Sequence, residues 1–143
     1  MPDSHARALF AARLIQARTL RGLSQRALGD RMGLGKEKGS SRINRYENRV
    51  TAIGFDNLNA IAGILDVPVA YLLADNASIA DAILALSKTS EDQQALLAQL
   101  IDRLASHPEL IDVLMAALQS PEGGSAVSHA LRTPKPSKGK KSP

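Results

Sequence analysis

Ser24-Gln25-Arg26-Ala27-Leu28-Gly29-Asp30-Arg31-Met32-Gly33-Leu34, then Gly35-Lys36-Glu37-Lys38-Gly39, then Ser40-Ser41-Arg42-Ile43-Asn44-Arg45-Tyr46-Glu47 is the stretch that decides the fold. The first piece reads as a short helix between a start and a stop. Ser24 can accept a bond from an orphan backbone N–H, and Gly33 can take the left-handed conformation that closes the helix. The last piece is helical in spacing, with only Ile43 and Tyr46 apolar. A helix that polar is not a core element. Two short helices around a glycine turn, the second carrying arginine and asparagine, spell a helix-turn-helix; in that motif the second helix enters a DNA major groove and reads base edges.

Outward from this stretch the chain stays helical. Asp3 or Ser4 can cap a first helix that runs to about Leu20, with Phe10, Leu14 and Ala17 on one face and Gly22 as the stop. Phe55 to Leu65 places Phe55, Leu58, Ile61, Ala62 and Leu65 on one face. Pro68 suits the first turn of a further helix, where its missing N–H costs nothing, and Val69, Leu72 and Leu73 close the core. Residues 1–75 therefore suffice for a five-helix domain.

Leu28-Gly29, Gly33-Leu34, Ile43, Tyr46 and Glu47, flanked by Leu14-Ile15-Gln16-Ala17-Arg18 and Leu65-Asp66-Val67-Pro68-Val69-Ala70-Tyr71-Leu72-Leu73, resemble the Cro/CI-type (lambda-repressor-like, or XRE) helix-turn-helix regulators from about Phe10 to Leu73. The resemblance implies an ion pair between Arg18 and Glu47 that ties the first helix to the recognition helix. It implies a phosphate contact for Gln25 at the start of helix two, and base-facing positions for Ser40, Ser41, Arg42 and Arg45, joined by Asn44. Asn48 and Arg49 would meet the DNA backbone in the following loop. Two features depart from the family pattern. The stretch between Gly33 and Ile43 is about four residues longer than usual, which a longer turn or an extra N-terminal turn of the recognition helix would accommodate. The family's glycine after the glutamate is missing, and Asn48 is placed to take the left-handed position instead.

Composition narrows the class. The chain has 143 residues, 3% aromatic residues and no tryptophan. It has little strand-type alternation, so the expected fold is all-α. No cysteine is present, which removes disulfides, thiolate metal sites and cysteine nucleophiles. The N-terminus lacks the apolar stretch of a signal peptide, and no apolar run approaches the ~20 residues of a membrane span. A cytoplasmic protein is expected. His5, His107 and His129 show no ligand spacing, and no glycine-rich loop has a P-loop's lysine–hydroxyl pair, so neither metal, cofactor nor catalysis is expected.

Charge is distributed unevenly. Residues 1–75 hold 11 Lys/Arg against 7 Asp/Glu, residues 76–120 hold 2 against 6, and residues 121–143 hold 5 against 1. The basic parts are the ones suited to phosphate. In 76–120, Ile79, Ile83 and Leu86 precede a capping-box helix opened by Ser90, with Leu96, Leu97, Leu100, Ile101 and Leu104 as its stripe. A further helix follows His107-Pro108-Glu109. This leucine-rich segment cannot bury its surface alone, so it packs on the first domain or, as we expect, forms a homodimer interface over 79–118. The Pro, Gly, Ser and Lys of 121–143 suggest a disordered basic tail, which either adds non-specific DNA affinity or merely solubilises. The expected function is a dimeric, sequence-specific repressor whose partner is double-stranded DNA. The alternatives are an antitoxin-type autoregulator whose C-terminal helices bind a protein partner, and a helical interaction adaptor that does not bind DNA.

Overall fold

A computed structural model describes residues 5–132. Within them lie eight α-helices and one 3-10 helix, and no strand among the described residues. The helices are α1 (His5–Leu20), α2 (Gln25–Arg31), α3 (Lys36–Glu47), α4 (Phe55–Leu65), α5 (Ala77–Leu86), α6 (Glu91–Ser106), α7 (Glu109–Gln119) and α8 (Pro121–Arg132); the 3-10 helix (Val69–Leu73) sits between α4 and α5. The chain divides into two compact units, one ending at Glu91 and the other starting at Asp92. The first unit thus runs past the expected boundary at residue 75. The reason is α5, whose Ala80 is fully buried and whose Ile83 and Leu84 pack on the same core.

The core of the first unit gathers Leu14 from α1, Leu28 from α2, Ile43 from α3, Ile61 and Leu65 from α4, and Leu72 from the 3-10 helix, all fully buried. Helix ends are set by local chemistry. Ser24 Oγ accepts from the Ala27 N–H at 3.0 Å and starts α2. Gly22 and Gly33 have φ of +65° and +73° and end α1 and α2, a conformation in which a Cβ would be strained. Arg21, just past the end of α1, donates to the carbonyls of Leu65 and Asp66, each at 2.7 Å, and so satisfies the C-terminal end of α4.

The four extra residues become helix. Glycine 35, at φ +76°, precedes Lys36, and α3 then runs unbroken to Glu47. Its added turn passes α2 where both helices carry glycine: a Cβ on Gly39 would stand 2.8 Å from the Gly29 Cα and carbonyl carbon. Two side-chain-free positions facing each other let the backbones approach closely enough for α3 to start early.

At its other end α3 closes with the Val50 N–H on the Arg45 carbonyl (2.8 Å) and the Arg49 N–H on the Tyr46 carbonyl (3.0 Å). This is the paired-bond helix stop that requires a left-handed residue. That residue is Arg49, at φ +62°, and not Asn48, whose φ is −90°. The expectation for Asn48 is corrected by counting: in this stop the left-handed residue is the one between the helix's flanking residue, Asn48, and Val50, whose N–H bonds the Arg45 carbonyl.

In the second unit no residue of α6 or α7 is buried. The disordered tail expected from Pro121 is also corrected, because α8 occupies Pro121–Arg132. Pro121 fits a first helical position, and Ser120 Oγ accepts from the Gly123 N–H at 2.9 Å. The remaining part of that tail, 133–143, lies outside the described residues.

Candidate nucleic-acid interface

α3 buries one edge and offers the rest. Gly39, Ile43 and Tyr46 are buried, and Ser40 and Glu47 are half-buried beside them. At about 100° per residue these five fall within roughly 60° of Ile43. Opposite them stand Lys38, Ser41 and Arg45, with Arg42 on one flank and Asn44 and Glu37 on the other, all exposed. Tyr46 anchors the buried edge against Phe10 of α1 with rings 6.0 Å apart and nearly perpendicular.

A chain of polar contacts holds the helix in place. Arg18 of α1 donates Nε to Glu47 Oε1 at 2.6 Å and Nη2 to Oε2 at 3.1 Å, a two-pronged pair, and Nη1 to the Leu23 carbonyl at 2.8 Å. Both side chains are largely covered, at 18% and 6% exposure. Gln25, first in α2, donates Nε2 to the same Oε2 at 2.6 Å. A carboxylate only accepts, so the amide must present its NH2 to Glu47. Its Oε1 is thereby turned outward, where Asn44 Nδ2 reaches it at 3.4 Å. Glu47 therefore binds α1, α2 and α3 at one point.

The other expected residues distribute as follows. Arg45 is exposed and donates Nε to Thr51 Oγ1 at 3.0 Å, which steadies it against the loop after α3. Asn48 turns its amide back to the Asn44 carbonyl at 2.9 Å, finishing the helix end. Arg49 is exposed, and its carbonyl accepts from Arg7 Nη1 at 3.3 Å. Ser41, Arg42 and Arg45 line one open groove with Glu37, Lys38, Thr51 and Asn57, while Ser40 does not border it. Lys38 and Glu37 were not among the expected site residues. Counting seven back from Arg45 would have found Lys38 on the same stripe, had the helix been started before Ser40.

Comparison with known proteins agrees with this geometry. A family model described as helix-turn-helix matches residues 14–72. Among solved structures, the transcriptional regulator BswR is similar over 67% of this chain and 96% of its own, with 31% sequence identity and a TM-score of 0.59. The chain belongs to the Cro/CI-type helix-turn-helix family. Among curated protein sequences, none matches. In this family member α2 and α3 are the two helices of the motif. Among the described residues no group of three His, Cys, Asp or Glu could hold a metal, and no helix is long and apolar enough to cross a membrane.

Proposed function

We propose that the protein is a sequence-specific, DNA-binding transcription regulator that acts as a dimeric repressor. The observation that carries this is the exposed face of α3. Lys38, Ser41 and Arg45 point away from the core on a helix that the Arg18–Glu47–Gln25 cluster holds rigid. A major groove has a floor of base edges and two phosphate walls. Ser41, Arg42, Asn44 and Arg45 would meet the floor. The α2 start at Gln25 would meet one wall, where unsatisfied backbone N–H groups and the helix dipole favour phosphate. Asn48 and Arg49 would meet the backbone at the far end of α3. Ser40, half-buried, has the weakest claim to a base.

Dimerisation supplies the second half-site. In α6 and α7, Leu96, Leu100, Ile101, Leu110, Val113 and Leu118 are each at least 43% exposed, more apolar surface than monomers ordinarily leave uncovered. A second copy covering them would place two recognition helices on one operator. The −4 balance of residues 76–120 allows this if acids stay at the rim.

A gel-shift titration against the DNA upstream of the protein's own gene tests the reading, with Arg45→Ala alongside. Wild-type protein should bind that DNA in preference to random duplex. Arg45→Ala should lose about 1–3 kcal/mol of specific affinity and relax preference at one base. Equal loss on random DNA would make Arg45 a phosphate contact. No binding to any duplex would overturn the function.

A further inference from the structure

We infer that the added first turn of α3 lengthens the reading surface, and that Glu37 and Lys38 select a G·C base pair at the end of each half-site that the N-terminus of α3 reaches. The inference rests on the DNA-binding reading above and goes further by assigning a specificity to residues that the motif in its usual length lacks.

Three observations support it. First, the added residues are helical and continuous with the reading face. Lys38 and Arg45 are seven apart, so they differ by only about 20° around the axis, and Ser41 lies between them. Second, Glu37 and Lys38 are exposed and border the same open groove as Ser41, Arg42 and Arg45. Third, Lys38 stands roughly 4.5 Å further along the helix than Ser41, more than the ~3.4 Å between successive base pairs. The extra turn therefore brings at least one more pair within reach.

The chemistry of the two side chains selects the pair. A carboxylate has acceptors only, and in the major groove the partner that suits it best is the cytosine N4 amino group. An ammonium has donors only, and it suits the guanine O6 and N7 acceptors. A G·C pair shows both edges in one groove, and Glu37 and Lys38, about 100° apart around α3, both border the open groove on its reading side. Phosphates alone would not favour Glu37 here, since a carboxylate lowers affinity for them. Lys38, Arg42 and Arg45 around the groove offset that repulsion. The competing role for Glu37 is purely local, an acid in the first turn facing the helix dipole.

Enrichment of a randomised duplex pool by the full chain, Glu37→Gln and Lys38→Ala separates the two roles. The wild type should enrich a defined site with a G·C pair at one end of each half-site. Each variant should lose discrimination at that position by about 5- to 150-fold and keep the remaining positions. Position profiles identical in all three proteins, with affinity merely raised for Glu37→Gln and lowered for Lys38→Ala on every sequence, would overturn the inference and leave the regulator reading standing. A wild-type chain that enriches nothing would overturn both. Both residues are exposed, so matching melting curves will show that the variants are folded.

Discussion

Replacing Glu47 with alanine should loosen α3 from both α1 and α2 and lower the stability of the domain. The carboxylate accepts from Arg18 Nε and Nη2 and from Gln25 Nε2, and it is only 6% exposed. Breaking a buried pair by removing one partner costs roughly 3–5 kcal/mol, because the other charge is left uncompensated. Arg18 is 18% exposed and keeps its bond to the Leu23 carbonyl, so the lower part of that range applies. A loss of about 3–4 kcal/mol is expected, from a total that for small domains is only about 5–15 kcal/mol. At roughly 4–8 °C per kcal/mol for a domain of this size, the melting temperature should fall by about 12–32 °C. Thermal unfolding followed by circular dichroism measures it. The double variant Arg18→Met/Glu47→Leu should recover most of the loss, since an apolar pair leaves no buried charge behind. A fall under about 3 °C for Glu47→Ala, or a double variant as unstable as the two single losses added, would refute the reasoning.

Four further outcomes follow from particular positions. Gly29→Ala should destabilise by about 1–3 kcal/mol or more, because its Cβ would meet the Gly39 backbone; Gly63→Ala, on the exposed side of α4 with nothing within 4 Å, should stabilise by about 0.5–1 kcal/mol, and denaturant titration of both checks the contrast. Arg49→Gly should raise stability by up to about 1 kcal/mol by relieving the left-handed arginine, yet weaken binding to all DNA sequences alike, as melting and gel shift would show together. Burial raises the pKa of Tyr71, opposed by Arg13 and assisted by Asp81. The folded chain thus holds the phenol proton more tightly, so this stabilisation is complete below the ordinary tyrosine pKa of about 10 and is lost as pH climbs above it; Tyr71→Phe should flatten that alkaline decline in unfolding titrations. Finally, a chain ending at Ser120 should sediment as a dimer and one ending at Glu91 as a monomer; a monomeric 1–120 would sink the interface, and a dimeric 1–91 would move it into the first unit.

The sequence by itself determined most of the helices, the motif and, through the family resemblance, Arg18 as a partner of its anchoring glutamate. Those features rest on local rules or short periodicities: Ser24 as a cap, Gly22 and Gly33 as left-handed stops, Ile43 and Tyr46 as the lone apolar pair on a polar helix. Arg18 and Glu47 were recognisable through family resemblance because they are named by position in a motif, though 29 residues apart. Only tertiary structure decided the rest. Whether residues 35–39 form loop or helix depended on Gly39 meeting Gly29 across two helices, a contact between positions no local pattern links. The unit extends to Glu91 because Ala80 finds a buried place on the core, and amphipathic spacing cannot say which neighbour an apolar face will meet. Gln25's amide orientation is likewise imposed by an acceptor from another helix, which is why its outward oxygen, and the groove beside Lys38, came into view only once α2 and α3 were packed together.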